Sequence, residues 1–178
     1  MPTTGGSPNL VLCGFMASGK TTVARLLSAR TAMPLLDTDD WIEQREGRTV
    51  ARLFAELGEP YFRSVERRAV AYAGRAHGTV VSTGGGVVLD PENVTRLISS
   101  GVVIYLAADP AELFARLAGD PTRPLAAGFT CPEDLAHKLA LRAPYYDALP
   151  HRIDTAGRSP EQVAQAALEL YEGRGGRY

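Results

Sequence analysis

Gly14-Phe15-Met16-Ala17-Ser18-Gly19-Lys20-Thr21 follows a short apolar run, Asn9 to Leu12, and opens a segment with helical patterning. The stretch matches G-x-x-x-x-G-K-[ST] in the strand, loop and helix context that gives this pattern its meaning. Phosphate oxygens need many convergent donors. A glycine-rich turn supplies backbone N–H groups at the positive end of the following helix, and a lysine adds charge. Lys20 is therefore expected to reach the β- and γ-phosphates of a nucleotide, with Thr21 toward a magnesium ion. Gly14, Ala17, Ser18, Gly19 and Thr22 complete the predicted nucleotide cradle.

Outward from this loop, short apolar runs alternate with longer amphipathic segments. Asn9 to Leu12, Pro34 to Leu36, Thr79 to Val81, Val102 to Leu106 and His151 to Ile153 read as strands, each followed by a helical pattern. Such alternation predicts a five-stranded parallel sheet covered on both faces, a three-layer α/β/α fold. Asp90-Pro91-Glu92, Asp109-Pro110-Ala111-Glu112 and Ser159-Pro160-Glu161-Gln162 each set a capping side chain before a proline, whose missing N–H costs nothing at a helix start. Residues 118 to 131 lapse into Ala, Gly and Pro-rich sequence, a connection long enough to act as a lid. One domain spans 1–178, with loose tails expected at 1–8 and 173–178.

The 178 residues carry a net charge of -1, with 45% hydrophobic and 22% charged residues, so bulk electrostatics give no reason to expect nucleic acid or an anionic membrane as partner. No segment approaches the length of a membrane span. Cys13, in an apolar run, and Cys131, in a polar one, make no disulfide framework and fit a reducing compartment, with cytoplasm the default and a monomer the expectation. Cys13 reads as a small buried residue more readily than as a redox handle. His77, His137 and His151 lack partners at metal-ligand spacing.

A phosphate loop specifies only a nucleotide. The acceptor must be sought among polar residues at the strand ends. Four sets stand there: Leu36-Asp37-Thr38-Asp39-Asp40 before Trp41; Phe62-Arg63-Ser64-Val65-Glu66; Ser82-Thr83-Gly84-Gly85-Gly86; and Arg123-Pro124-Leu125 followed by Leu141-Arg142-Ala143-Pro144-Tyr145. With these in order and spacing, the chain resembles the shikimate kinase family of P-loop kinases from about Leu10 to Leu170. The resemblance implies transfer of the γ-phosphate of ATP to the 3-hydroxyl of shikimate, with Mg2+, in aromatic amino acid biosynthesis. It assigns Asp37 to the metal, and Asp39 to the acceptor hydroxyls as candidate base. Arg63, held by Glu66, and Arg142 would clamp the acceptor carboxylate. Gly84, Gly85 and Gly86 would line the pocket beside Ser82, and Phe54 and Phe62 would form its aromatic wall. Arg123 would close over the transferring phosphoryl group, while Arg116, Arg158 and Pro160 would sandwich adenine.

Structural alternatives stand beside several of these roles. Asp37 and Asp39 are expected to alternate on an extended strand end, though Asp39 or Asp40 could cap a helix before Trp41. Arg63 and Glu66 could form an exposed i,i+3 ion pair, and the three glycines a plain tight turn. Phe54 and Phe62 could be core, and Arg116, Arg123 and Arg158 solvated charges. Glycine is common in the family at the position of Ala17, so a positive φ there would strain the loop. Leu125-Ala126 also departs from the usual lid. Rival readings are a gluconate kinase built on the same sheet, a catalytically silent nucleotide-binding regulator and, third, a nucleic-acid kinase, which the lack of a basic stripe disfavours.

Overall fold

The computed structural model of the chain describes residues 6–118, 129 and 131–178. Five parallel strands, β1 (Asn9–Cys13), β2 (Leu35–Asp37), β3 (Val80–Ser82), β4 (Gly101–Ala107) and β5 (His151–Asp154), lie in the order β2-β3-β1-β4-β5. Helices α1 (Lys20–Thr31), α2 (Thr38–Glu46), α3 (Val50–Ala73), α4 (Pro91–Ser100), α5 (Pro110–Ala118), α6 (Pro132–Asp147) and α7 (Pro160–Gly173) connect and follow the strands. All five predicted strands are present, each within a residue or two of its expected bounds.

Side-chain alternation along the strands divides the core. Leu10, Leu12, Val80, Ile104 and Leu106 face a layer built from α1 and α7. Val11, Cys13, Val81, Val103 and Tyr105 face the other layer, formed by the end of α3 with α4, α5 and α6. Every residue of β1 is fully buried, as expected for the central strand of a sheet covered on both sides. A smaller cluster, Ile42, Leu53, Phe62, Val65 and Ala69, joins α2 to α3 beyond the sheet edge. Helix α3 is interrupted at Gly58, whose φ of 79° favours glycine, two residues before Pro60. The interruption lets one chain segment supply both a sheet-covering helix and this outlying cluster.

The proline-led helix starts behave as expected. The Asp90 carboxylate accepts from the Glu92 N–H, the Asp109 carboxylate from the Ala111 N–H, and Ser159 forms a reciprocal capping box with Gln162. Of the expected loose tails at 1–8 and 173–178, residues 1–5 lie outside the described residues, and the described parts are held by hydrogen bonds. Helix α7 runs through Gly173, the Gly176 N–H donates to Tyr171 O, and the Tyr171 hydroxyl donates to Pro8 O at 2.6 Å. Ser7 O in turn accepts from the Gly78 N–H at 2.7 Å. A fully buried tyrosine holding both chain ends is not visible in a Gly/Pro-rich composition. The expected lid, about 118 to 131, lies outside the described residues apart from Phe129, which is buried 6.3 Å from the Phe15 ring, and its two ends.

Asn9 ties the start of the central strand to its surroundings. Its buried amide donates to Ala73 O at 3.2 Å and Ala76 O at 2.9 Å, and its carbonyl accepts from the Thr79 N–H at 3.1 Å. Asn9→Ala removes three hydrogen bonds and leaves the buried Thr79 N–H without its partner, while Ala73 O keeps its bond from the Ala76 N–H. The expected cost is about 3 kcal/mol, a fall in Tm of about 6–12 °C by thermal melting, and an unchanged Tm would refute the bracing role.

Candidate active site

The loop after β1 wraps into the start of α1. A β-carbon on Gly14 would lie 2.7 Å from Ser18 Oγ and 2.8 Å from Leu106 O, so the loop closes this tightly only because position 14 has no side chain. Gly19, at φ 90°, caps α1, and Lys20 is buried with Nζ donating to Phe15 O at 2.8 Å. Ser18 Oγ is buried and has no hydrogen-bond partner among the described residues. Ala17 does take the left-handed conformation, with φ 60°, and its carbonyl accepts from the Arg116 guanidinium at 3.3 Å. On the outer side of the loop, Ser18, Gly19, Thr22, Arg116, Arg158 and Pro160 line a cleft of about 300 Å³. Sequence reasoning named these six, which the fold brings together; Val23, Thr155 and Val163, which also line the cleft, it did not.

Thr21 Oγ1 donates to Asp37 Oδ2 at 3.2 Å, so the two expected magnesium-side residues meet. Ser82 pairs in register with Asp37 across β2 and β3, and its buried Oγ has no partner among the described residues. No group of three or more His, Cys, Asp or Glu side chains that could cage a metal occurs among the described residues. One hydroxyl and one carboxylate suit a magnesium ion that keeps most of its ligands as water and phosphate oxygens. Cys13 lies beneath, fully buried, and burial pushes its thiol up to about 11, far from a reactive thiolate.

Asp37 and Asp39 do not alternate along a strand. Strand β2 ends at Asp37, which is itself the cap of α2: its Oδ1 accepts from the Asp39 N–H at 3.0 Å. Asp39 stands in the first helical turn, and neither it nor the exposed Asp40 provides the cap. A turn of helix separates the carboxylates as effectively as strand alternation would, leaving Asp37 beside Thr21 and Asp39 against the glycine turn. A β-carbon on Gly84 would lie 2.8 Å from Asp39 Oδ1 and 3.3 Å from Glu66 Oε1. One on Gly85 would lie 3.1 Å from Met16 N, and one on Gly86 would strike the Arg63 guanidinium at 2.5 Å. The three glycines thus form a wall thin enough to touch the phosphate loop on one side and the acidic and basic side chains on the other.

Arg63 is no exposed surface pair. Its guanidinium is 20% exposed, donates to Glu66 Oε2 at 2.7 Å, and meets Glu59 Oε1 through Nε and Nη2 at 3.1 and 2.9 Å. Glu66 is 1% exposed; burial raises its carboxyl above the usual range, and Arg63 limits the rise. Glu66 Oε1 has no hydrogen-bond partner among the described residues. Phe62 belongs to the outlying core, whereas Phe54 reaches the surface; their rings lie 4.4 Å apart and both flank Arg63. Arg142 lies 5.5 Å over the Phe15 ring. Arg123 lies outside the described residues.

Three participants went unnoticed in the sequence. The Thr38 hydroxyl accepts from the Gly84 N–H at 2.9 Å, and the Tyr146 hydroxyl donates to Gly85 O at 2.5 Å. Lys138 sits near Arg142 and Arg63; burial and repulsion by those two cations lower its pKa. Lys138, Arg142 and Tyr146 recur every fourth residue on α6, so helical spacing was the signal that one face of this helix serves the site.

A family model for shikimate kinase matches residues 16–172. The chain belongs to the shikimate kinase family. A shikimate kinase of Moorella thermoacetica is 43% identical over 161 residues, spanning 90% of this chain and 92% of its own. The solved structure of shikimate kinase from Acinetobacter baumannii in complex with shikimate aligns with a TM-score of 0.86 at 31% identity over 94% of both chains. Family membership makes the chain an ATP-dependent phosphotransferase acting on a hydroxyl group. A gluconokinase from Sinorhizobium meliloti, at 15% identity and a TM-score of 0.56, shares the fold alone.

Ala17 carries a cost specific to this chain, because a left-handed non-glycine residue is strained by about 1–2 kcal/mol. Ala17→Gly is expected to raise Tm by about 2 °C and to tighten ATP binding about twofold, since part of the relief is offset by added freedom in the unfolded chain. Calorimetric titration with ATP and a melting curve check this; weaker ATP binding together with a lower Tm would contradict it.

Proposed function

We propose that the chain transfers the γ-phosphate of ATP to the 3-hydroxyl of shikimate, giving shikimate 3-phosphate and ADP. One observation carries the reading: the Arg63 guanidinium lies against Gly86 in a glycine wall whose Gly85 touches the phosphate loop, and Lys138 is close enough to feel the charges of both Arg63 and Arg142. Glu66 and Glu59 already pair with Arg63, but Lys138 and Arg142 add two further positive charges beside it, and a planar guanidinium suits a carboxylate. The exposed Glu59 carboxylate on the Nε edge of Arg63 supports this, since it occupies an edge to which another carboxylate can be offered.

In this reading ATP lies along the loop, its adenine in the cleft between Arg116 and Arg158 with Pro160, and its phosphates on the N–H groups of residues 14 to 21. Lys20 moves charge off the phosphates, and Thr21 and Asp37 hold the magnesium ion, which neutralises phosphate charge. The acceptor carboxylate lies between Arg63 and Arg142. Gly85 and Gly86 approach it without side chains, and Asp39 accepts the proton of the attacking hydroxyl. Phosphoryl transfer depends mainly on positioning and charge neutralisation, so Arg123 closing over the γ-phosphate would complete the cationic cage and exclude water. The same reading takes the protein to be monomeric, in a reducing compartment. Among the described residues no helix is long and apolar enough to cross a membrane.

Steady-state assays should give a higher kcat/KM with shikimate than with quinate or gluconate; a preference for gluconate, or no acceptor-dependent ADP release, would overturn the proposal. Arg63→Ala and Arg142→Ala should each raise KM for shikimate about 10- to 100-fold, the value of a hydrogen bond to a charged group. Arg123→Ala should instead lower kcat at least about 100-fold. A reversed pattern would mean that the roles are exchanged. Trp41, half-buried two residues beyond Asp39 and 5.5 Å from the Tyr72 ring, should change its fluorescence when shikimate is added, and a flat titration at saturation would count against the assigned pocket.

A further inference from the structure

Tyr146 is 1% exposed, an unusual place for a phenol unless its hydroxyl has a partner. Its ring stacks on Tyr105 with centroids 4.8 Å apart and planes 10° from parallel. That stacking fixes the direction of the hydroxyl, which donates to Gly85 O at 2.5 Å. Burial raises the phenol's pKa, so near neutral pH the hydroxyl keeps its proton and can donate. The Arg142 guanidinium, one turn earlier on the same face of α6, acts on the same hydroxyl.

Gly85 has neither a side chain to lock its conformation nor a helix or strand to hold its peptide. Its nearest neighbours are the backbone atoms of Gly14, Phe15 and Met16, and the flanking Gly84 and Gly86 touch Asp39, Glu66 and Arg63 of the proposed acceptor site. The turn is anchored at Gly84 by Thr38, and the next carbonyl, that of Gly85, is held by Tyr146. Fixing that carbonyl fixes the plane of the Gly85–Gly86 peptide, and hence the direction of the Gly86 N–H. The same hydroxyl sets α6, and with it Arg142, at a fixed distance from the turn.

We infer that Tyr146 is a positioning residue for the acceptor: its hydroxyl joins the glycine turn to the Arg142 helix, so that the peptide donors and the guanidinium meet one carboxylated substrate in register. The inference rests on the proposed acceptor function and adds a specific role for a side chain that never touches the substrate. A purely structural role would lower stability without distinguishing the two substrates; positioning predicts that they are affected unequally.

The test compares the intact protein with Tyr146→Phe, which keeps the ring and its stacking, and with Tyr105→Phe, which removes a hydroxyl from the partner ring without touching Gly85. Tyr146→Phe should raise KM for shikimate about three- to tenfold, the usual worth of one buried hydrogen bond, with KM for ATP unchanged. Tyr105→Phe should leave both unchanged. Replacing Tyr146 with p-aminophenylalanine, which returns a donor to the same place, should restore KM for shikimate and also provides the comparison if the phenylalanine variant folds poorly. Equal shifts in both KM values, the same rise in Tyr105→Phe, or failure of the amino ring to differ from phenylalanine would overturn the inference. Failure of the parent protein to phosphorylate shikimate would remove the acceptor reading itself, a result distinct from normal turnover with an insensitive Tyr146.

Discussion

The contact between Gly85 and the backbone of Phe15 and Met16 is the constraint on which the site depends. Strands β1 and β3 are neighbours with Leu12 opposite Ser82, so the loops leaving them emerge side by side. One loop is shaped for phosphate and the other borders the pocket lined by Asp39, Arg63 and Glu66. Any β-carbon at position 84 or 86 would collide with those side chains, and one at 85 would crowd the phosphate loop. Three glycines reduce the separation between the phosphate loop and the Asp39, Arg63 and Glu66 side chains to the thickness of a peptide, which in the proposed reading is what direct transfer of a phosphoryl group requires.

Charge is concentrated where the overall composition hides it. In the proposed reading, a chain with net charge -1 attracts a triphosphate and a carboxylate because Lys20 lies at the loop while Arg63, Lys138 and Arg142 place positive charge on the acceptor side. Holding cations in a partly buried site is unfavourable unless they are paired. Glu66 meets that need from inside the protein and Glu59 from the solvent side. Glu66 is the costlier partner, since breaking the pair would leave a buried charge without compensation.

Much of this was readable in advance. The phosphate loop, the five parallel strands and the proline-led helix starts follow from local patterns, which are what a sequence displays. The grouping of Arg116, Arg158 and Pro160 comes only from the family resemblance, and the strand order is set by pairing between distant segments. The adverse backbone at Ala17 is open to suspicion only through the family resemblance, in which glycine is common at that position; the motif itself leaves it unspecified. What escaped notice depends on distant contacts. Tyr171 holds both chain ends, Tyr146 reaches the glycine turn 61 residues earlier, and Thr38 supports Gly84 from 46 residues away. Asp37 does meet Thr21, but not from an extended end: helix α2 begins at Thr38, two residues sooner than a strand running through Asp39 allows, with Asp37 as its cap.

The central claim is that nucleotide and acceptor meet across one glycine-thin wall. A crystal structure with shikimate, Mg2+ and a non-hydrolysable ATP analogue tests it most directly. The account predicts the acceptor carboxylate between Arg63 and Arg142, with its 3-hydroxyl about 3–3.5 Å from the γ-phosphorus and within reach of Asp39. Shikimate bound elsewhere, or a pocket beside the glycine turn filled by the protein's own side chains, would contradict it.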